Sequence, residues 1–218
     1  MKLFRDRDDA ARQLARALMP WRGRNAIVYA IPRGAMPMAA LIAEELDAEL
    51  DVVLTHKLGA PGNPEFAIGA VAESGWSHVQ YRGMDVDDAY VQRETAAQLE
   101  RLRERRKSYG AARVPAAGRT AIVVDDGLAT GATMIAALHA LRDQGPSRLI
   151  CAVPVAAPDS LARVRPLADE VVCLSAPQGF HAVGQFYETF GQVEDEEVMA
   201  TLNKARAPGR ATKSAGPK

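Results

Sequence analysis

Two adjacent carboxylates close an apolar run in the stretch IVVDDGLATGAT, residues 122–133. A charge at the end of a buried strand is costly unless it is solvated or paired, so Asp125 and Asp126 are expected to hold something. The loop that follows them, GLATGAT, is built mainly of small residues and threonines and leads into a helical pattern. Small side chains let backbone N–H groups approach an anion, and a helix N-terminus adds a favourable field. Thr130 and Thr133 supply hydroxyl donors. The loop therefore suits a phosphate, while the carboxylates suit sugar hydroxyls or a Mg2+ shell. A phosphorylated ribose needs all three features. The plainer reading of the same residues is a helix cap after an ordinary turn, with the aspartates merely exposed. The loop lacks the lysine of a G-x-x-x-x-G-K-[ST] motif, which argues against a nucleoside triphosphatase.

Other stretches carry compatible chemistry. In AIPRGAMP (30–37), Arg33 offers paired guanidinium donors to phosphate oxygens, and Gly34 and Ala35 permit a close backbone approach. A surface arginine after a proline turn is the alternative. Lys57 closes LTHK, and the segment 58–75 beyond it is studded with Gly59, Pro61, Gly62, Pro64, Gly69 and Gly75. That density of breakers predicts an irregular loop, and a long loop inside a compact domain is more often functional or disordered than filler. Glu65 and Phe66 lie in it without an assigned role; His56 reads as a structural strand residue. Near the end, APQGFHAVGQFYETFGQVEDEEV gathers Phe180, Phe186, Tyr187 and Phe190. Phe180 and Tyr187 are candidates to stack on a planar acceptor, or else to pack the C-terminal helix onto the core.

These groups need a scaffold that brings them to one place. Apolar runs at 25–32, 49–57, 120–126, 148–155 and 170–175 read as strands, with a shorter one at 78–81. Helical patterns cover 8–19, 35–46 (with Pro37 in the first turn), 85–108, 132–145 and 158–167. The succession predicts an α/β fold: a Rossmann-like parallel sheet with helices on both faces. Ligands of such sheets bind beyond the carboxyl ends of the strands, where Asp125, Asp126 and Arg33 fall. One domain is expected over 1–206, with a disordered tail at 207–218 that holds almost no large apolar residue.

Composition narrows the partners. The 218 residues are 48% apolar and 25% charged, with 27 basic and 27 acidic side chains and a formal charge of zero. That balance argues against nucleic acid and anionic membranes as partners. The basic run RLRERRK (101–107) belongs to a long charged helix whose inward residues are expected to be Val91, Thr95, Leu99 and Leu102. Cys151 and Cys173 sit in apolar runs and read as small buried hydrophobes. No apolar run has membrane-spanning length and the start has no signal-peptide core, so a cytoplasmic location is expected. There is no G-x-S-x-G elbow of an α/β hydrolase and no G-x-G-x-x-G dinucleotide fingerprint.

VVDDGLATGAT resembles the phosphoribosyl diphosphate (PRPP) motif of the type I phosphoribosyltransferases, and other parts of that family follow its order over roughly residues 1–200. The resemblance implies the family fold, with a flexible loop and a small hood. It implies that Asp125 and Asp126 bind the ribose hydroxyls and a Mg2+ ion, and that Ala129, Thr130, Gly131, Ala132 and Thr133 cradle the 5′-phosphate. Arg33, Gly34 and Ala35 stand where the diphosphate loop lies, Lys57 where a strand end contacts the diphosphate, and 58–75 where a mobile loop closes. Phe180 and Tyr187 fall in the hood beside the acceptor. The implied activity is Mg2+-dependent transfer of phosphoribose from PRPP to a nitrogenous, nucleobase-like acceptor in nucleotide metabolism. Arg33 and Lys57 would stabilise the departing diphosphate. Ala129 stands where relatives acting on 6-oxopurines carry an aspartate, which disfavours hypoxanthine and guanine. AVGQFY is similar to a subgroup whose acceptors are unassigned. A non-catalytic PRPP or nucleotide-binding regulator is the alternative, and a homodimer is left open.

Overall fold

The structure is a computed structural model that describes residues 2–80, 86–110 and 113–206, apart from the side chain of Glu65. Its centre is a parallel sheet of β1 (Ala26–Ala30), β2 (Glu49–Val52), β6 (Thr120–Val124), β7 (Arg148–Val155) and β8 (Glu170–Ser175), in the order β2-β1-β6-β7-β8. β1 and β6 are buried at every position, as expected of strands covered on both faces. Alternate residues divide the core. Val28, Ala30, Ile122, Val124, Ile150 and Ala152 face the layer of α1 (Arg7–Leu18) and α2 (Met36–Glu45). Ile27, Tyr29, Ala121, Val123, Leu149 and Val153 face α4 (Ala132–Arg142) and α5 (Pro158–Val164). Cys151 is buried and Cys173 half-buried, both as free thiols.

The register places the site. Ala30 pairs with Val52 on one side and Val124 on the other, and Val124 pairs with Ala152. β1, β2 and β6 therefore end level, while β7 runs on to Val155, and the residues just beyond the three level ends share one rim. From β1 the chain leaves for β2 on one side and later returns to β6 on the other, so the order of strands reverses between β1 and β6. In open parallel sheets that reversal opens a crevice at the carboxyl ends.

Two sequence expectations change here. Residues 49–57 are not one strand: β2 ends at Val52, and β3 (Thr55–Ala60) starts a separate antiparallel sheet with β4 (Asn63–Ala72) and β5 (Ser77–Val79). The segment expected to be irregular is thus largely a hairpin, with a register shift around Gly59. Pro61 and Gly62 are its two-residue turn, between the paired Ala60 and Asn63. Gly69 lies within β4, paired with Val79 of β5, and must be glycine because a Cβ there would meet the His78 carbonyl oxygen at 2.2 Å. Breaker residues thus mark the turn and the close strand contact. Phe66 is exposed on β4.

The charged helix α3 (Asp88–Ser108) starts at an Asp87 cap and buries Gln98, Leu102 and Arg106, with Val91, Thr95 and Leu99 half-buried. Arg106, from the basic run, lies inside the protein. It donates to Asp51 at 3.1 Å, to the Val52 carbonyl at 2.7 Å and to both oxygens of Glu73. Asp51, 1% exposed, also accepts from Arg206 of α6 (Asp195–Arg206) at 2.9 Å and from the Val114 amide at 2.9 Å. This cluster joins β2, the hairpin sheet, α3 and α6. Among the described residues no helix is long and apolar enough to cross a membrane. The tail at 207–218 and residues 81 and 85, at the expected ends of a strand and a helix, lie outside the described residues.

Removing one partner of a buried ion cluster leaves the others uncompensated. Arg106→Ala is expected to lower stability by about 3–5 kcal/mol, read from the midpoint and slope of urea unfolding followed by far-UV circular dichroism.

Candidate functional site at the carboxyl rim of the sheet

Asp125 and Asp126 directly follow β6, the middle strand, and stand at the crevice. Asp125 accepts the Asp126 amide at 2.8 Å. Burial, and then the charge of Asp126, push its carboxyl well above the usual carboxylate range; Lys57 and Arg7 pull the other way. Asp126 is also raised by burial, against the opposing pull of Arg7. Nε and Nη2 of Arg7 donate to Asp126 Oδ2 at 3.0 and 2.8 Å, and its Nη1 donates to the Gly191 carbonyl at 2.6 Å. The guanidinium carbon lies 3.9 Å from the centre of the Phe190 ring. Sequence reading missed Arg7, which is 119 residues from its partner and carries no local motif.

The predicted cradle is the turn from Ala129 to Gly131 with the first residues of α4. Gly131 takes the cap position with φ +74°, a left-handed conformation that suits glycine. Among the described residues, the amides of Ala129, Thr130 and Gly131 donate to no protein group. Those of Ala132 and Thr133 belong to the first turn of α4, where an α-helix supplies no acceptor. Ala129 and Thr130 are exposed, Thr133 is half-buried and the Ala132 side chain is buried.

The loop after β1 meets the acid pair directly. A Cβ built on Gly34 would lie 2.2 Å from Asp126 Oδ2, so only glycine leaves the carboxylate in place. Ala35 turns its methyl group into the core and caps α2, leaving its backbone as the part that can face a ligand. The peptide bond between Pro32 and Arg33 is cis. Arg33 is on the same rim, with Nη1 donating to Glu194 at 2.9 Å. Lys57 is not at the end of a main-sheet strand but within β3, where it is exposed; its charge still favours the ionised form of Asp125. His56 beside it is an exposed strand residue.

Of the two readings of Tyr187, stacking on an acceptor and packing onto the core, the structure corrects the first, because the residue is fully buried. Its hydroxyl donates to the Asp126 carbonyl at 2.7 Å, and its ring packs on Phe4 and Phe190 at 5.4 and 4.9 Å between centroids. Phe4 also bridges to Tyr187 through the backbone, and the Glu188 amide donates to the Phe4 carbonyl at 2.9 Å. Tyr187 thus anchors the chain's start, and with it Arg7, against the acid pair. Phe180 packs on Phe186 at 5.0 Å and stays half-buried, so part of its surface remains available.

The donor set can be tested against Mg2+. No group of three or more His, Cys, Asp or Glu residues among the described residues can hold a metal alone. Mg2+ commonly takes one or two protein carboxylates and completes its shell with substrate oxygens and water. Asp125, a half-buried acid with a single described hydrogen bond, fits that role. On Asp126 the Oδ2 atom is engaged by Arg7, leaving Oδ1 for a ligand.

The phosphoribosyl transferase domain family matches residues 2–188. Two Mycobacterium tuberculosis proteins, from strains CDC 1551 / Oshkosh and H37Rv, carry names that assign them provisionally as phosphoribosyl transferases. They are 44% identical over 211 residues, 94% of this chain and 47% of theirs. The chain spans about half the length of these curated relatives. The crystal structure of TT1426 from Thermus thermophilus is 46% identical, with a TM-score of 0.80, covering 94% of this chain and 99% of that one.

The raised carboxyl of Asp125 has a measurable cost. A group whose folded pKa exceeds its unfolded value binds protons more tightly when folded. Its contribution to stability is therefore full below the ordinary carboxylate range and is lost as pH rises through the folded pKa. Asp125→Asn removes that loss. The variant is expected to unfold at a higher urea concentration than the wild type at pH 7, with the two converging in acid. A variant midpoint at or below that of the wild type at pH 7 would contradict this account.

Proposed function

This chain belongs to the phosphoribosyl transferase domain family, and from that premise we propose that it transfers phosphoribose from PRPP to a nitrogenous, nucleobase-like acceptor, releasing diphosphate. The observation that carries the reading is the contact between Gly34 and Asp126, which leaves no room for a Cβ. It joins the loop suited to a diphosphate to the acids suited to ribose hydroxyls, beside amides suited to a 5′-phosphate. PRPP presents those three groups on one small sugar.

In the proposed reaction the C1–O bond to diphosphate breaks as an acceptor nitrogen forms its bond to C1. Positive charge grows on the ribose ring and negative charge on the diphosphate. Asp125 and Asp126 accept from the ribose hydroxyls and fix the ring. The backbone of 129–133 holds the 5′-phosphate, so that C1 is presented in one orientation. Arg33 exchanges Glu194 for the diphosphate and stabilises its developing charge, with Lys57 adding a second cation. Asp125 and Asp126 would hold a Mg2+ ion, which would supply further charge neutralisation. Phe180 is the remaining stacking candidate for the acceptor. Ala129 offers no side-chain acid or base at the loop, which favours orotate-like, adenine-like or unusual acceptors over 6-oxopurines.

A regulator that binds PRPP without turning it over is the second reading. The Arg33–Glu194 ion pair favours it, since that pair occupies the cation needed for the leaving group. Calorimetric titration with PRPP, with and without Mg2+, tests the shared site. Mg2+-dependent binding is expected in the wild type, weakened by about tenfold or more in Gly34→Ala, where the added methyl group displaces Asp126. No binding at millimolar PRPP would overturn both readings. Diphosphate release during a screen of nucleobases and related nitrogen acceptors would then separate transferase from regulator.

A further inference from the structure

The amides of the cradle do not face outward by chance of the turn. The three carbonyls that precede them are each held from behind. Leu128 O accepts the Ala157 amide at 2.9 Å, Ala129 O accepts the Ser160 hydroxyl at 2.6 Å, and Thr130 O accepts Nη2 of Arg163 at 2.9 Å. Arg163 also donates to Ser160 Oγ at 3.1 Å. The serine oxygen is thus an acceptor for the guanidinium, and its own proton is directed to Ala129. Ser160 and Arg163 are three residues apart on α5 and share one face. Ser160 is 2% exposed, and a Cβ on Gly131 would lie 3.6 Å from both Ser160 Cβ and Val164 Cγ2. This end of α5 therefore packs directly behind the turn.

In a trans peptide the carbonyl and the following N–H point in opposite directions, and among the described residues the only cis bond is Pro32–Arg33. Pinning the carbonyls of 128, 129 and 130 toward α5 turns the amides of Ala129, Thr130 and Gly131 away from it. We propose that Ser160 and Arg163 are positioning residues for phosphate capture: they hold the cradle peptides with their N–H groups presented to the anion, and the Arg163 charge strengthens the field there. Neither side chain needs to touch the ligand. The inference rests on the reading of 129–133 as a phosphate cradle, and it goes beyond that reading by assigning the orientation of the cradle to α5.

The test uses the full chain and three probes: PRPP with Mg2+, ribose 5-phosphate, and inorganic diphosphate, which engages the Arg33–Gly34 side. Ser160→Ala, Arg163→Gln and Arg163→Lys are compared with the wild type, and thermal unfolding confirms that each is folded. Ser160→Ala removes one oxygen, and Arg163 is exposed, so at least one folded variant is available. Arg163→Gln is expected to weaken PRPP and ribose 5-phosphate by about tenfold or more, as when charge-assisted donors to an anion are lost. Diphosphate affinity should stay within about twofold. Arg163→Lys, which keeps the charge and one donor, should recover part of the loss. Unchanged ribose 5-phosphate affinity in folded variants would overturn the clamp and leave the proposed function standing. Equal loss for all three probes would also overturn it, since that pattern marks general damage. If the wild type binds ribose 5-phosphate but not PRPP, the proposed function falls and the variants still decide the clamp. Binding of neither sugar phosphate overturns both.

Discussion

A carboxylate at the end of a central buried strand is tenable only with a partner, and Arg7 is that partner for Asp126. Much of the rim depends on this one pair. Arg7 is the first residue of α1, so the start of the chain must cross the carboxyl ends of the sheet to reach it. Backbone bonds from Leu3 and Phe4 to Phe186 keep it there, together with the bridge from Phe4 to Tyr187. Tyr187 is buried for the same reason: its hydroxyl closes on the Asp126 carbonyl while its ring supports Phe4. Gly34 then packs against the carboxylate oxygen that Arg7 holds. Chain start, the segment 186–191 and the loop after β1 therefore converge on a single acid.

Two acids illustrate what separates structure from site. Asp51 is buried and fully occupied, receiving Arg106, Arg206 and the Val114 amide. Its charges serve to seat the second sheet and α3 on the first. Asp125 is half-buried, and among the described residues its carboxylate receives only the neighbouring Asp126 amide. Burial and the adjacent charge then push its carboxyl upward. A buried polar group short of partners marks a place where a ligand can supply them. The same contrast holds for the backbone, where the carbonyls of 128–130 are satisfied by α5 and the Ala157 cap before it and the amides that follow them are not.

The parallel sheet was legible because strand and helix periodicities are local properties of the chain. The apolar runs at 25–32, 120–126, 148–155 and 170–175 and the helices between them needed no knowledge of distant residues, whereas the run at 49–57 holds the end of one sheet's strand and the start of another's. The hairpin was less legible. Pro61–Gly62 is a hairpin turn and Gly69 a close strand contact, but breaker residues read by density alone suggest a loop. Whether a glycine ends a strand or lies within one depends on which backbone comes alongside, and that is set by pairing across the fold.

By itself, the sequence determined the chemistry on offer: an acid pair at a strand end, a small loop opening a helix, and an arginine and glycine after another strand. Each is a short stretch whose residue types limit what it can bind. The tertiary structure decided which charges and hydroxyls serve those stretches. Arg7, Ser160 and Arg163 are 119, 31 and 33 residues from the groups they hold, and the chain has 27 basic residues with no local mark to choose among them. It also decided that Tyr187 supports the site from within the core and that Arg106 belongs to the interior. Partnership between distant polar groups follows from the path of the backbone and from the cost of leaving a buried charge alone, and neither can be read along the chain.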